Sequence, residues 1–250
     1  MTNDAAAIAR QAASILVLRD DPFEVLVVRR NANQSFASAL VFPGGVVEAN
    51  DASESWLPFV AAHDLDATDR ALRIAALREL HEECRLFVGA PLPRNSVLAA
   101  DFATLLAASG AALDLEVLVH FGHWVTPVQR PRRFDTHFFL APAPVGQLAH
   151  SDGSETVSLE WVRPAEVMAQ VERGERELLF PTLMNMKRLA ESDSVEAAIS
   201  AARARPPFTV QPDVRPVEGG ISWESAAECG CNSVSAHARC CCHGRVCPLP

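Results

Sequence analysis

One stretch limits what this chain can fold into: ATDRALRIAALRELHEEC, residues 67–84. It holds no Gly or Pro, is rich in Ala, Leu, Arg and Glu, and follows Asp66, a candidate N-cap with Thr68 as the alternative. With Leu77 at zero and about 100° per residue, Leu80, Cys84 and Phe87 fall between about 280° and 360°, and Ala76 near about 260°. Glu82, Glu79 and Glu83 fall near about 140°, 200° and 240°, flanked by Arg78 and Arg85. The spacing predicts a helix with an apolar stripe and three carboxylates on an adjoining arc.

Such an arc repels itself, each close pair weakening an isolated helix by about 0.2–0.5 kcal/mol. A divalent cation reverses the sign, because Mg²⁺ seeks hard oxygen ligands and keeps waters that a substrate phosphate can replace. The competing reading is a solvated acidic face, and the segment upstream lowers its weight. There VFPGGVVEAND, residues 41–51, sets a strand, a Pro43-Gly44-Gly45 turn and acids before the helix. Glycines let a backbone come close to a ligand.

The rest of the chain reads as strands first and helices last. Ala13–Leu18 and Phe23–Val28 are apolar runs around a turn at Arg19–Pro22, and Ala39–Phe42 is a short strand. Extended structure resumes at Val46-Val47, and Asp51–Ala62 suggests a short helix. A helix over Val97–Ala108 stops at Gly110, strands cover Val117–Val125, Arg133–Leu140 and Ser158–Val162, and helices cover Ala165–Arg173, Thr182–Ala190 and Val195–Ala204. This order is α+β (mixed α/β), without the regular alternation of a doubly wound sheet.

Composition narrows the partners. The net charge is −9, with no long basic run, so the footprint of a general nucleic-acid binder is missing. The most apolar stretch, residues 97–119, carries Asp101, Asp114 and Glu116, which argues against a membrane span. The start, MTNDAAAIAR, lacks the pattern of a secretion signal, and the expected location is cytoplasmic. The expected division is a domain over residues 1–207 and a disordered Pro/Ser/Cys-rich tail over 208–250. Six of the seven cysteines fall at its end, but their spacing matches no standard structural zinc pattern, and a disordered end is the preferred reading over a zinc site.

Taken together, these residues resemble the Nudix hydrolase signature, G-x5-E-x7-R-E-U-x-E-E-x-G-U with U aliphatic. Gly45 takes the first position, and Arg78-Glu79-Leu80-His81-Glu82-Glu83 matches REUxEE without a gap. There are three departures. Asp51 stands in place of Glu; Arg85 stands in place of the terminal Gly, so that the helix exit must be built differently; and 26 residues, Ala52 to Leu77, replace seven. An insertion at that point resembles the coenzyme A diphosphatase (peroxisomal-type) branch. So do the phrases VFPGGVVEANDASESW, Trp124-Val125-Thr126-Pro127 and Arg132-Arg133-Phe134-Asp135-Thr136-His137-Phe138-Phe139.

The resemblance implies a Nudix fold, a mixed sheet between helices, and hydrolysis of a nucleoside diphosphate linked to another group. Glu79, Glu82 and Glu83 would ligate Mg²⁺ or Mn²⁺ with a carbonyl of the Gly44-Gly45 turn, and Arg78 would orient a glutamate. Glu79, Asp51 and Glu155 are the candidate general bases. Coenzyme A or acyl-coenzyme A is the expected substrate, its 3′-phosphate met by Arg29-Arg30 or Arg132-Arg133, with Phe36 or Phe134 facing adenine or packing in the core. The alternatives are an ADP-ribose or dinucleotide pyrophosphatase, and a silent module that senses a nucleotide. A homodimer is compatible with the family.

Overall fold

The computed structural model describes residues 7–30, 40–93, 100–151, 156–217 and 220–224. Phe36, Glu155 and the cysteine-rich segment fall outside them.

Strands β1 (Arg10–Arg19) and β2 (Glu24–Arg30) form the expected antiparallel hairpin. Next come β3 (Leu40–Val41), β4 (Gly44–Val46), a 3₁₀ turn over Glu54–Phe59, and helix α1 (Ala67–Cys84). Helix α2 (Phe102–Ser109) ends at Gly110 and precedes β5 (Val119–Val125), β6 (Phe134–Pro142) and β7 (Thr156–Val162). Helices α3 (Pro164–Glu172), α4 (Phe180–Leu189) and α5 (Val195–Ala204) follow, then β8 (Thr209–Val210). A separate two-stranded ribbon pairs β9 (Asp213–Val217) with β10 (Gly220–Glu224).

The main sheet runs β3-β2-β1-β6-β5-β8, with β4 also on β1 and β7 also on β2. It is mixed: β1 runs parallel to β6 and antiparallel to β2 and β4. Both faces are covered, which explains why β1 reads as an unbroken apolar run and not as an alternation. Ile15, Val17 and Phe139 face α1, packing with Leu72, Ile74, Leu77 and Leu80. Leu16, Leu18 and Phe138 face the other way, toward Val167, Met186, Leu189 and Ala198. The architecture is α+β, a mixed sheet between helices.

Two expectations change. Gly44-Gly45 is not a turn but the start of β4, in register with Ser14 and Ala13 of β1. The main sheet also takes in residues beyond 207, because Thr209 and Val210 pair with His123 and Trp124 of β5.

The long spacer has a clear structural place. Ser53 caps the 3₁₀ turn, and Trp56 packs against Phe102 while donating its indole N–H to the Asn50 carbonyl at 2.8 Å. Residues 60–66 form a non-helical connection, and residues 67–77 are the first turns of α1, where the Asp66 carboxylate accepts from the Asp69 amide at 2.8 Å. Of the two candidate caps, Asp66 is the one used.

Candidate active site

The site forms where α1 crosses β4. Pro43 O accepts from Ile15 N, and Gln11 O accepts from Val47 N, each at 2.9 Å. In an antiparallel pair, alternate residues turn their backbone groups to the partner strand, so residues 44 and 46 turn theirs away from β1. They turn toward α1. The Gly44 amide donates to Glu83 Oε2 at 3.0 Å, and the Val46 carbonyl accepts from Arg78 Nη2 at 3.2 Å.

The two glycines make room for different neighbours. A Cβ on Gly44, whose φ is +150°, would meet Ala13 O at 2.3 Å and Ser14 Cα at 2.6 Å. A Cβ on Gly45 would lie 2.2 Å from Glu79 Oε1. Gly44 lets two strands meet, and Gly45 makes room for a carboxylate.

Arg78 organises the acids. Its Nε and Nη2 fork onto Asp51 Oδ1 and Oδ2 at 2.9 and 3.0 Å, while Nη1 donates to Glu79 Oε1 at 3.0 Å and Glu82 Oε2 at 2.8 Å. Burial opposes its charge, but the hydrogen bonds to Asp51 and the charges of Glu79, Asp51 and Glu82 prevail, so its pKa is raised above the ordinary arginine value. Asp51 is fully buried and also accepts from the Glu48 amide at 2.8 Å. Both of its oxygens are engaged by Arg78. Of the two arginines flanking the arc, Arg78 is the one that grips it.

The acids differ in exposure. Glu83 is buried, Glu79 half-buried and Glu82 exposed. Three carboxylates (Asp51, Glu79, Glu82) therefore surround one guanidinium, Glu83 is held beside them by the Gly44 amide, and the outer edge of the cluster opens to solvent at Glu82. Three oxygen donors on one helix turn, beside a backbone that faces them, form the hard donor set that Mg²⁺ or Mn²⁺ takes. Their hard-oxygen chemistry suits a divalent ion.

The exit of α1 corrects one expectation. Arg85 itself adopts the left-handed conformation, φ 56° and ψ 26°, and its amide bonds to His81 O at 2.9 Å. The helix ends as a glycine would end it, at a steric cost of about 1–2 kcal/mol for an L-residue. His81, in the middle of the acidic run, turns inward: it is fully buried, with Nε2 2.8 Å from Ala100 O, and burial lowers its pKa.

The arginines proposed for substrate divide. Arg133 bridges backbone and side chain, from Nε to Thr126 O at 3.0 Å, from Nη1 to Ala7 O at 2.7 Å and from Nη2 to Gln211 Oε1 at 3.4 Å. All three nitrogens tie segments of the protein together. Arg29 is exposed at the end of β2, beside Leu40 and Ser158. Arg30 follows it in β2, and Arg132 is exposed on the loop before β6. Phe134 is half-buried at the start of β6.

Sequence reasoning missed a cluster of three histidines and an aspartate on β5 and β6. His123 Nε2 lies 2.5 Å from Asp135 Oδ1, and His137 Nδ1 lies 3.1 Å from His120 Nε2. Their spacing follows no motif, and the register shift that unites them is invisible in the string.

A mixed sheet between helices, with a clamped carboxylate arc against a glycine-lined strand, defines a hydrolase of diphosphate bonds. The NUDIX domain matches residues 9–181, well over half of the chain, and the chain belongs to the Nudix hydrolase family. Members act on nucleotide-type small molecules. The chain is similar to the acyl-coenzyme A diphosphatase NUDT19 of Gallus gallus, 28% identical over 265 aligned positions that cover 74% of this chain and 69% of that one. It is also similar to the human protein of that name, at 28% identity over 69% of this chain and 62% of that one. Among solved structures, a NUDIX hydrolase from Alicyclobacillus acidocaldarius superposes with a TM-score of 0.65 at 29% identity, covering 78% of this chain and 97% of that one. Among the described residues, no helix is long and apolar enough to cross a membrane.

Proposed function

We propose that the chain hydrolyses coenzyme A or acyl-coenzyme A to 3′,5′-ADP and (acyl-)phosphopantetheine, with Mg²⁺ or Mn²⁺ held by Glu79, Glu82, Glu83 and the Gly44 carbonyl. The observation that carries the chemistry is the four-way grip of Arg78 on Asp51, Glu79, Glu82 and the Val46 carbonyl. It holds two acids in fixed rotamers before any substrate arrives, which is what makes an electrostatic site effective. Glu83 is fixed separately, by the Gly44 amide.

A divalent ion held by Glu79, Glu82 and Glu83 would supply charge to neutralise the diphosphate and acidify a nearby water. Water attacks one phosphorus in line, the P–O–P bond breaks, and the bridging oxygen leaves on the other phosphate. Glu79, half-buried beside Gly45, is the base assigned to take the proton that the water gives up, a choice its partial burial supports. Asp51 and Arg78 are positioning residues.

The substrate choice draws support from the acyl-coenzyme A diphosphatases among the relatives and from the insertion before α1. With Arg133 committed elsewhere, Arg29, Arg30 and Arg132 are the cations assigned to the extra phosphate. A panel of free and acylated coenzyme A, ADP-ribose and NADH, assayed with Mg²⁺ and with Mn²⁺, tests the reading. Release of 3′,5′-ADP from coenzyme A is expected. Cleavage of ADP-ribose or NADH without action on coenzyme A would overturn it.

A further inference from the structure

We propose that His123, Asp135 and His137 form a second metal site, for a borderline transition ion of the Zn²⁺ type, separate from the carboxylates of α1. Each residue offers one ligand atom, an imidazole nitrogen or a carboxylate oxygen, and these atoms all lie within 4.8 Å of one another. Two imidazoles and one carboxylate are a donor set that such ions prefer and Mg²⁺ does not.

The backbone builds the cluster through one irregularity. Val119 and His120 pair with Leu140 and Phe139, but Gly122 pairs with Phe138, so Phe121 is an extra residue in β5. In a regular strand, residues three apart point to opposite faces. The bulge at Phe121 reverses that parity and brings His120 and His123 to one face, with His137 directly across from His123. The rings of His123 and His137 stack with centroids 3.8 Å apart, and those of His120 and His137 with centroids 5.0 Å apart.

The outer contacts orient the donors. The Thr209 hydroxyl lies 2.8 Å from His123 Nδ1, and His120 Nε2 lies 3.1 Å from His137 Nδ1. Each Nδ1 is thereby engaged, and both Nε2 atoms face the same oxygen, Asp135 Oδ1, at 2.5 and 3.9 Å. Engagement of the far nitrogen is how proteins aim a ligating histidine. A tetrahedral ion with bonds near 2.0–2.1 Å needs donors about 3.3 Å apart, so the two nitrogen-to-oxygen distances, 2.5 and 3.9 Å, each change by less than about 1 Å. The side chains of His123, Asp135 and His137 are 16%, 31% and 17% exposed, partly dried but open to an ion from solvent.

The register also separates this site from the glutamates. Gly45 and His137 both pair with Ala13, on either side of β1, which puts them two strand spacings apart, about 9.6 Å. An ion there would join β5 to β6 and, through Thr209, brace β8.

The test uses the full-length chain with Mg²⁺ in excess, so that the glutamates are occupied. Zn²⁺ uptake by calorimetry, and Co²⁺ uptake by visible absorption, are compared in wild type, His123→Ala, His137→Ala and Asp135→Asn, with circular dichroism as the check of folding. The variants are expected to lose one equivalent of Zn²⁺ and the Co²⁺ d–d bands of the nitrogen and oxygen site. Zinc taken up by the terminal cysteines is common to all four proteins and cancels in the comparison. Equal stoichiometry and equal d–d bands in all four would overturn the proposal, leaving a hydrogen-bonded histidine cluster. Should the alanine variants fail to fold, X-ray absorption of Zn²⁺-loaded wild type decides: nitrogen scatterers at about 2.0–2.1 Å support the site, and sulfur scatterers alone at about 2.3 Å refute it.

Discussion

Arg78 and Asp51 lie 27 residues apart in the chain and are joined by two nearly equal hydrogen bonds, 2.9 and 3.0 Å long. The pair closes a loop that contains the whole insertion, and it anchors the guanidinium whose remaining nitrogen holds Glu79 and Glu82. Arg→Lys at such a planar fork is not conservative.

Arg78→Met is therefore expected to leave Asp51 buried and unpaired, lowering stability by about 3–5 kcal/mol. Chemical denaturation measures it. A double-mutant cycle with Asp51→Asn should recover part of the loss, because the second change removes the stranded charge. Additive effects would show that the two residues are not coupled.

Glu82→Gln tests the acidic arc where folding is least involved, since the Glu82 side chain is 47% exposed. Stability is expected to change by no more than about 0.5 kcal/mol. Turnover should fall by roughly 100-fold or more, the scale of losing one charge-stabilising group in a site. Steady-state kinetics at saturating Mg²⁺ reads it, and hydrolysis at the wild-type rate would remove the mechanism.

The two glycines of β4 should separate fold from function. Gly44→Ala drives a methyl into the backbone of β1 at a φ unsuited to alanine, and a large fall in Tm is expected. Gly45→Ala meets the carboxylate of Glu79 instead, the end of a flexible side chain. It should keep most stability and lose activity. Comparable activity losses with comparable melting temperatures would contradict this division.

Arg85→Gly should stabilise the protein by about 1 kcal/mol, because glycine relieves the left-handed strain at the end of α1. Thermal unfolding at constant pH measures the shift. No increase in Tm would mean that contacts of the arginine side chain offset the strain.

Acid should destabilise the metal-free protein through its buried imidazoles. Burial, followed by the charge of His123, holds His120 and His137 down at about 4, and burial lowers His81 as well. Between about 4 and the ordinary 6.5 the unfolded chain binds more protons than the folded one, so stability is complete above 6.5 and is lost as pH falls toward 4. The loss is on the order of a few kcal/mol. Denaturant titrations between pH 7 and 4.5 with chelator present should show it, and His120→Gln should flatten the curve.

The string by itself determined the periodic features. Helix α1 and its acidic arc follow from a 3.6-residue repeat that any window of the chain reveals, and the β1–β2 hairpin follows from two apolar runs around a turn. These are local properties, set by neighbours a few residues away. The tertiary structure decided everything that depends on which distant segments meet. It made strand out of the Gly44-Gly45 pair, because β1 offered a partner, and it set Asp51 against Arg78, which arrives from 27 residues downstream. It spent Arg133 on three protein oxygens. It gathered His120, His123 and His137 through a single extra residue at Phe121. One inserted residue in a strand reverses the facing of all that follow, and no local pattern records which partner strand will force it.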